Sequence, residues 1–157
     1  MTDGRGVWRI LRLLLIVGVV VFVAIQLVPY GRDHTNPPVT AEPRWDSPQT
    51  RTLAVSACFD CHSNETAWPW YTNVAPFSWF TQHDVDDGRS KLNFSTWDRP
   101  QDVEAAEVAH IVGEGEMPPA YYGWLHSAAR LSAEEQAALI DGLERTLQAS
   151  PPAGGGG

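Results

Sequence analysis

Sulfur is scarce in this chain. Its 157 residues include two cysteines and two methionines, one of them the first residue. Two cysteines cannot build the multi-bridge framework of a small secreted scaffold. Basic charge is also short: 11 Lys and Arg stand against 19 Asp and Glu, for a net charge of -8. That balance argues against nucleic acid, whose phosphates call for a basic footprint. Val- and Ile-rich runs are missing beyond the N-terminus, so an all-β fold is not expected. There is no internal repeat, phosphate loop or nucleophile elbow. Apolar residues are not in short supply. A 43% hydrophobic content and seven Trp exclude an intrinsically disordered chain.

Residues 1–28 differ from the rest. Arg5, Arg9 and Arg12 lead into an apolar run of 19 residues counted from Ile10. A helix of about 19 residues nearly crosses a hydrocarbon core of about 30 Å. Arg12 can snorkel to the headgroups, and Trp8 sits where an interfacial anchor belongs. Arginines before the run and few basic residues after it orient the N-terminus to the cytoplasm. A cleaved signal peptide would look similar, but Ala24-Ile25-Gln26-Leu27-Val28-Pro29 has no small-x-small cleavage site. An uncleaved single-pass anchor is therefore expected. Either reading exports residues 30–157.

Residues 29–46, with Pro29, Pro37, Pro38 and Pro43, read as an extended linker. Residues 47–149 read as the folded domain, and 150–157, ending in Pro-Pro-Ala-Gly4, as a disordered tail. Without residues 1–28 the balance is 8 basic minus 18 acidic, or -10.

The domain reads as all-α. Ser47-Pro48 starts a first helix, with Leu53, Ala54, Ala57 and Cys61 on one side. Pro76 to about Arg89 is a second, with Phe77, Phe80 and Val85 available for packing. Asp98–Val112 is a third, ended by Gly113-Glu114-Gly115. Ser132–Gln148 is the fourth. Ser132 and Glu135 make a capping box, and Ile140, Leu143 and Leu147 follow at helical spacing. Trp68-Pro69-Trp70-Tyr71 and Tyr121-Tyr122-Gly123-Trp124 read as aromatic loops.

The chemistry sits at Cys58-Phe59-Asp60-Cys61-His62. C-x-x-C-H is the attachment sequence of c-type haem. Two thiols at this spacing reach the two vinyl groups on one edge of a flat porphyrin, and the next residue carries an imidazole to the iron. A structural disulfide, a dithiol redox pair and a zinc site compete with this reading. The disulfide would close a very short loop, the redox pair lacks its βαβ context, and the zinc site lacks further ligands at suitable spacing. Export of the domain favours haem, because c-type haem is attached outside the cytoplasm.

Met117, in Gly115-Glu116-Met117-Pro118-Pro119, is the expected second axial ligand; His83, His110 and His126 are the alternatives. A thioether donor raises the reduction potential and closes the coordination sphere, which favours electron transfer over oxygen, peroxide or carbon monoxide chemistry. Trp68, Trp70, Tyr71, Phe77, Trp79, Tyr121, Tyr122 and Trp124 are candidates to cover the macrocycle, with Trp70 and Tyr71 singled out. The His62 ring should donate its other N–H to a carbonyl, with Pro69 and Pro76 as candidate acceptors. Asp84-Val85-Asp86-Asp87-Gly88 lacks the closing Glu of a calcium loop and reads as a solvated helix end. Asn64-Glu65-Thr66 and Asn93-Phe94-Ser95 match glycosylation acceptors, a short pattern that often arises by chance.

Several stretches together resemble a known family. They are Thr35-Asn36-Pro37-Pro38-Val39, Cys58 through Thr66, Trp68-Pro69-Trp70-Tyr71, Val74-Ala75-Pro76, Gly88-Arg89, Leu92-Asn93-Phe94-Ser95 and Gly115-Glu116-Met117-Pro118-Pro119. Over about residues 34–143 the chain is similar to the small bacterial membrane-anchored haem-binding domain proteins, a branch of the cytochrome c group. The resemblance implies a helical cytochrome c-like fold with one covalent haem c, attached at Cys58 and Cys61 and ligated by His62 and Met117. The expected function is a monohaem electron carrier, not an enzyme, at the periplasmic face of the cytoplasmic membrane. Its acidic surface suits redox partners with basic docking patches, or a place in a respiratory complex. A haem peroxidase using His83 or His126 as distal base, and a haem sensor or structural subunit, are the alternatives.

Overall fold

The computed structural model of the chain describes residues 4–154. Among these the fold is all-helical, with no strand and a single parallel bridge between Ala41 and Thr96. The helices are α1 (Gly4–Ile25), α2 (Pro48–Ala57), α3 (Phe59–His62), α4 (Phe77–Lys91), α5 (Ala105–Gly113), α6 (Tyr122–Leu125) and α7 (Ala133–Ala149). Short 3-10 turns lie at Trp70–Asn73 and Ser127–Ala129.

The chain divides into two compact units. One comprises residues 4–34 and 68–83; the other comprises residues 35–67 and 84–154. This departs from the expected single domain over 47–149, since Trp68–His83 is grouped with the N-terminal helix.

In the first unit α1 carries Arg5, Arg9 and Arg12 in its first half, is apolar from Leu13 on, and is unburied. Its Arg5–Ile25 stretch is 21 residues long, enough to cross a bilayer by length and composition. Beyond its end the chain is tied to residues 68–83. The Gln26 side chain donates to the Ala75 carbonyl at 2.9 Å and accepts from the Ala75 amide at 3.0 Å.

The second unit holds the core. The caps legible in the sequence are present: the Ser47 hydroxyl accepts from the Thr50 amide, and Ser132 and Glu135 cap α7 reciprocally. Helix α7 packs against both α2 and α5. Gly142 makes the α2 crossing close, since a methyl group there would lie 2.1 Å from the Thr50 hydroxyl. Leu139, Leu143 and Leu147 are buried and meet Leu53, Ala54, Phe59, Phe94, Trp97 and Val112. Ile140, expected on the core face, is only partly buried; Leu139 takes that place.

Helix α5 begins at Ala105 rather than near Asp98. The Gln101 side chain accepts from the Asn93 amide and donates to the Asn93 and Thr96 carbonyls, which holds this stretch as a loop. Residues 35–46, the second part of the expected 29–46 linker, belong to the second unit. That part is extended but tied down: Trp45 packs against Phe59 and Phe94, Asn64 donates to the Pro38 carbonyl, and the Trp97 amide donates to Ala41. The tail behaves similarly as far as it is described. The Trp97 indole donates to the Ser150 carbonyl, Pro152 is buried, and the Ala153 amide donates to the Trp97 carbonyl. Residues 155–157 of the expected tail lie outside the described residues.

Candidate functional site

Cys58 ends α2, and α3 turns at once through Phe59–His62. The Cys61 and His62 amides both donate to the Cys58 carbonyl, at 3.2 and 2.8 Å. One tight turn therefore carries both thiols and the imidazole. Phe59 points into the core and stacks on Phe94, so the remaining side chains of the motif are left at its edge. Helix α4 passes close by. A methyl group on Gly88 would lie 2.5 Å from the Cys61 carbonyl oxygen, so only glycine permits this approach.

His62 is fixed through both its backbone and its ring. Its carbonyl accepts from the Phe94 amide at 2.8 Å, and its Nδ1 lies 3.0 Å from the Leu92 carbonyl oxygen. A carbonyl only accepts, so Nδ1 carries the proton and Nε2 keeps its lone pair. The expected carbonyl partner is thus present, but it belongs to Leu92 rather than to Pro69 or Pro76. Burial lowers the pKa of the ring, against the opposing bond to Leu92. The neutral ring is the form that can bind a metal.

Met117 reaches the same region through the end of α5. The Gly115 amide donates to the Val112 carbonyl and the Glu116 amide to the Ile111 carbonyl, with Gly115 left-handed at φ +75°. This is a Schellman closure, and it turns the chain so that Met117 follows immediately.

Cys58, Cys61, His62 and Met117 all line one cavity of about 640 Å³. Ligand sites commonly span roughly 300–1,000 Å³. The wall is largely apolar, with Leu92, Phe94, Val108, Ile111, Leu139 and Leu143 among its residues. Tyr121 and Tyr122 also contribute. Tyr121 donates to Asp84 at 3.0 Å, and burial together with that carboxylate pushes its pKa up to about 12. Asp60, inside the motif, accepts from the Tyr122 hydroxyl and from the Ala67 amide. Both thiols are free, and their pKa values are pushed up to about 12. Burial is the main cause at each; at Cys61 the Asp84 and Asp60 carboxylates add to it.

The other sequence candidates lie elsewhere. Trp70 and Tyr71, singled out as cover for a macrocycle, belong to the first unit and do not line the cavity. Trp124 is 80% exposed. Of the alternative ligands, His83 and His110 are exposed. His126 stacks on Tyr122, with ring centroids 3.9 Å apart, and its Nδ1 is engaged with the Tyr122 carbonyl. None of the three lines the cavity. Among the described residues, no three His, Cys, Asp or Glu side chains converge as a metal cluster.

A largely apolar cavity of this size, lined by Cys58, Cys61, His62 and Met117, fits a haem. A family model described as a haem-binding domain matches residues 20–145. Neither the curated proteins nor the solved structures offer a match to this chain.

Proposed function

Since the chain belongs to the haem-binding domain family, we propose that it is a monohaem c-type cytochrome that carries electrons at the outer face of the cytoplasmic membrane. The observation that carries this reading is the convergence of Cys58, Cys61, His62 and Met117 on one apolar cavity. Cys58 and Cys61 would hold the haem through thioether bonds, and His62 Nε2 and the Met117 sulfur would bind its iron. The bound group supplies a one-electron couple. The chain's own residues set its environment. The Leu92 carbonyl orients the His62 ring and increases its basicity. The Schellman turn at Gly115 places the softer sulfur donor, which favours the reduced state. Leu139, Leu143 and Phe94 exclude water from the cavity wall.

The apolar helix α1, with Arg5, Arg9 and Arg12 on its N-terminal side, would hold this domain at the membrane and on its periplasmic face. Two donors to the iron from the protein, His62 and Met117, would favour a carrier over a peroxidase, and His126, a distal base that a peroxidase would use, is not among the residues lining the cavity.

The test is expression in a host that attaches c-type haem, followed by mass measurement and oxidised and reduced spectra of wild type and Met117→Ala. The expected mass is the chain plus one haem. The expected wild-type spectrum is low-spin with a thioether–iron charge-transfer band, and Met117→Ala should lose that band. A bare-chain mass overturns covalent attachment, and an unchanged Met117→Ala spectrum overturns Met117 as ligand.

A further inference from the structure

The first unit carries large aromatic side chains that its own packing leaves uncovered. Trp70 is 78% exposed, Phe80 64% and Phe77 54%. Tyr30 is also exposed, and so are Leu27 and Val28 just beyond α1. Those on residues 70–80 are not scattered. Trp70 meets Tyr71 edge-on with centroids 6.0 Å apart, and Tyr71 meets Phe77 edge-on at 6.4 Å. Phe77 and Phe80 are three residues apart on α4, so they share a face. From Trp68 to Gln82 the chain contains no charged residue. A contiguous apolar surface of this kind marks an interaction site.

This surface is fastened to the end of α1. Gln26 forms its reciprocal pair of hydrogen bonds with Ala75, between Trp70 and Phe77 in the chain. Gly31, left-handed at φ +78°, lies so close to α4 that a methyl group there would sit 2.1 Å from the Ser78 carbonyl oxygen. The His34 ring stacks on Trp68 with centroids 4.6 Å apart and hydrogen-bonds Thr72 at 3.0 Å. Three independent contacts thus fix the aromatic segment against the residues that follow the helix.

The length of α1 sets the level of this segment. The Arg5–Ile25 stretch rises about 31 Å at about 1.5 Å per residue, close to a hydrocarbon core of about 30 Å, with Arg5, Arg9 and Arg12 at its N-terminal end snorkelling to the headgroups. Gln26 then lies at the hydrocarbon boundary, and the segment bonded to it lies in the headgroup layer. Trp and Tyr favour that layer, where a ring has one apolar side and one wet side. A charged rim, the usual frame of a protein-docking patch, is missing from residues 68–82.

We propose that Tyr30, Trp70, Phe77 and Phe80 form an aromatic collar that rests in the phospholipid headgroup layer around the exit of α1. The proposal rests on α1 spanning the bilayer. It adds a second membrane contact, made mainly by Trp70, Phe77 and Phe80, which are remote in sequence from the helix.

The test is photocrosslinking of the full-length haem-loaded protein in phosphatidylcholine–phosphatidylglycerol vesicles. The photoreactive p-benzoylphenylalanine replaces one residue at a time: Phe77, Phe80, Phe22 within α1, or the exposed Val55 on α2. An unchanged circular dichroism spectrum and melting temperature in each variant show that the fold is intact. The expected result is a phospholipid adduct at Phe77 and Phe80 in a yield comparable to that at Phe22, and none at Val55. Adducts at Phe22 alone overturn the collar and leave the span standing. Absence of an adduct at Phe22 overturns the span and the collar with it. Equal adducts at Val55 show non-specific labelling and also overturn the collar.

Discussion

The Nδ1 atom of His62 lies 3.0 Å from the carbonyl oxygen of Leu92, thirty positions along the chain. This contact fixes the ring tautomer and aims the opposite nitrogen away from Leu92. It depends on the position of the segment after α4, whose Phe94 amide also donates to the His62 carbonyl. The geometry of the proposed iron ligand is therefore set by a distant strip of backbone, and a substitution that moves α4 should disturb it.

Gly88 is where such a substitution acts. A methyl group there would lie 2.5 Å from the Cys61 carbonyl oxygen and 3.0 Å from its Cβ. Both neighbours belong to the Cys58–His62 turn, and neither is the flexible end of a side chain. Gly88→Ala should destabilise the protein by about 1–3 kcal/mol, the usual cost of overpacking. It should also lower the fraction of chains carrying haem. Thermal melts and haem-to-protein absorbance ratios measure the two effects.

The pair Gly113 and Gly115 separates backbone strain from crowding. Gly115 has φ +75° and open space around it, whereas a methyl group on Gly113 would meet only the Ile140 Cδ1 atom at 3.8 Å. Gly115→Ala should cost about 1–2 kcal/mol through its left-handed backbone alone. It should also weaken the thioether–iron band by shifting Met117. Gly113→Ala should leave both stability and spectrum close to wild type.

This difference marks how far the sequence could be read. Gly113-Glu114-Gly115 plainly ends a helix, and Met117 plainly follows it, but which glycine is left-handed depends on where the helix starts to unwind. The capping box at Ser132 and Glu135 was fully legible because all its partners lie within one turn. The acceptor for His62 was not, because Leu92 becomes its neighbour only through tertiary packing. The assignment of Trp70 and Tyr71 to the first unit was not legible for a related reason. Composition identifies large apolar side chains, but not which surface they serve. Leu139 shows the same limit: Ile140, Leu143 and Leu147 have helical spacing, yet the burial of α7 is centred one residue earlier.

Arg89 should be the most sensitive cation in the second unit. Its guanidinium donates to the Ser63 carbonyl at 2.7 Å, and to the Thr35 carbonyl, Asn36 Oδ1 and the Thr66 hydroxyl at 2.9 Å each. One planar fork thus joins the residues just after the haem motif to the extended segment before α2. Lysine has one nitrogen and cannot reach all four acceptors. Arg89→Lys and Arg89→Met should both destabilise, by about 1.5–3 kcal/mol for lost bonds to a charged group. Denaturant unfolding of the two variants checks this, with Met the more severe.

Acid should loosen the attachment of residues 42–51. The Glu42 carboxylate takes two bonds from Arg51, each 2.8 Å, and one from the Trp45 indole. The Arg51 bond is the main cause holding its pKa below the ordinary 4.5. A depressed folded value means that the stabilisation is complete above the unfolded value and is lost as pH falls through the folded one. Wild-type stability should therefore decline below about pH 4.5. Glu42→Gln should be less stable at neutral pH and show a shallower acid decline, read from melting temperatures across the acid range.

The proposed carrier would meet its electron partner at the cavity, whose lining charge is one-sided. Asp60, Asp84, Asp87, Asp102, Glu107 and Glu116 contribute to the lining, against Lys91 as the single Lys or Arg there. Lys91 is itself paired with Asp87 at 2.8 Å. A cationic oxidant or reductant would be drawn to this rim, and the attraction would be screened within about 8–10 Å at physiological salt. Electron exchange with hexaammineruthenium should therefore slow as ionic strength rises. Glu107→Gln combined with Asp102→Asn should flatten that dependence while leaving the haem spectrum unchanged. A rate independent of salt in the wild type would mean that electrons leave by another face, and the acidic rim would then have no part in choosing the partner.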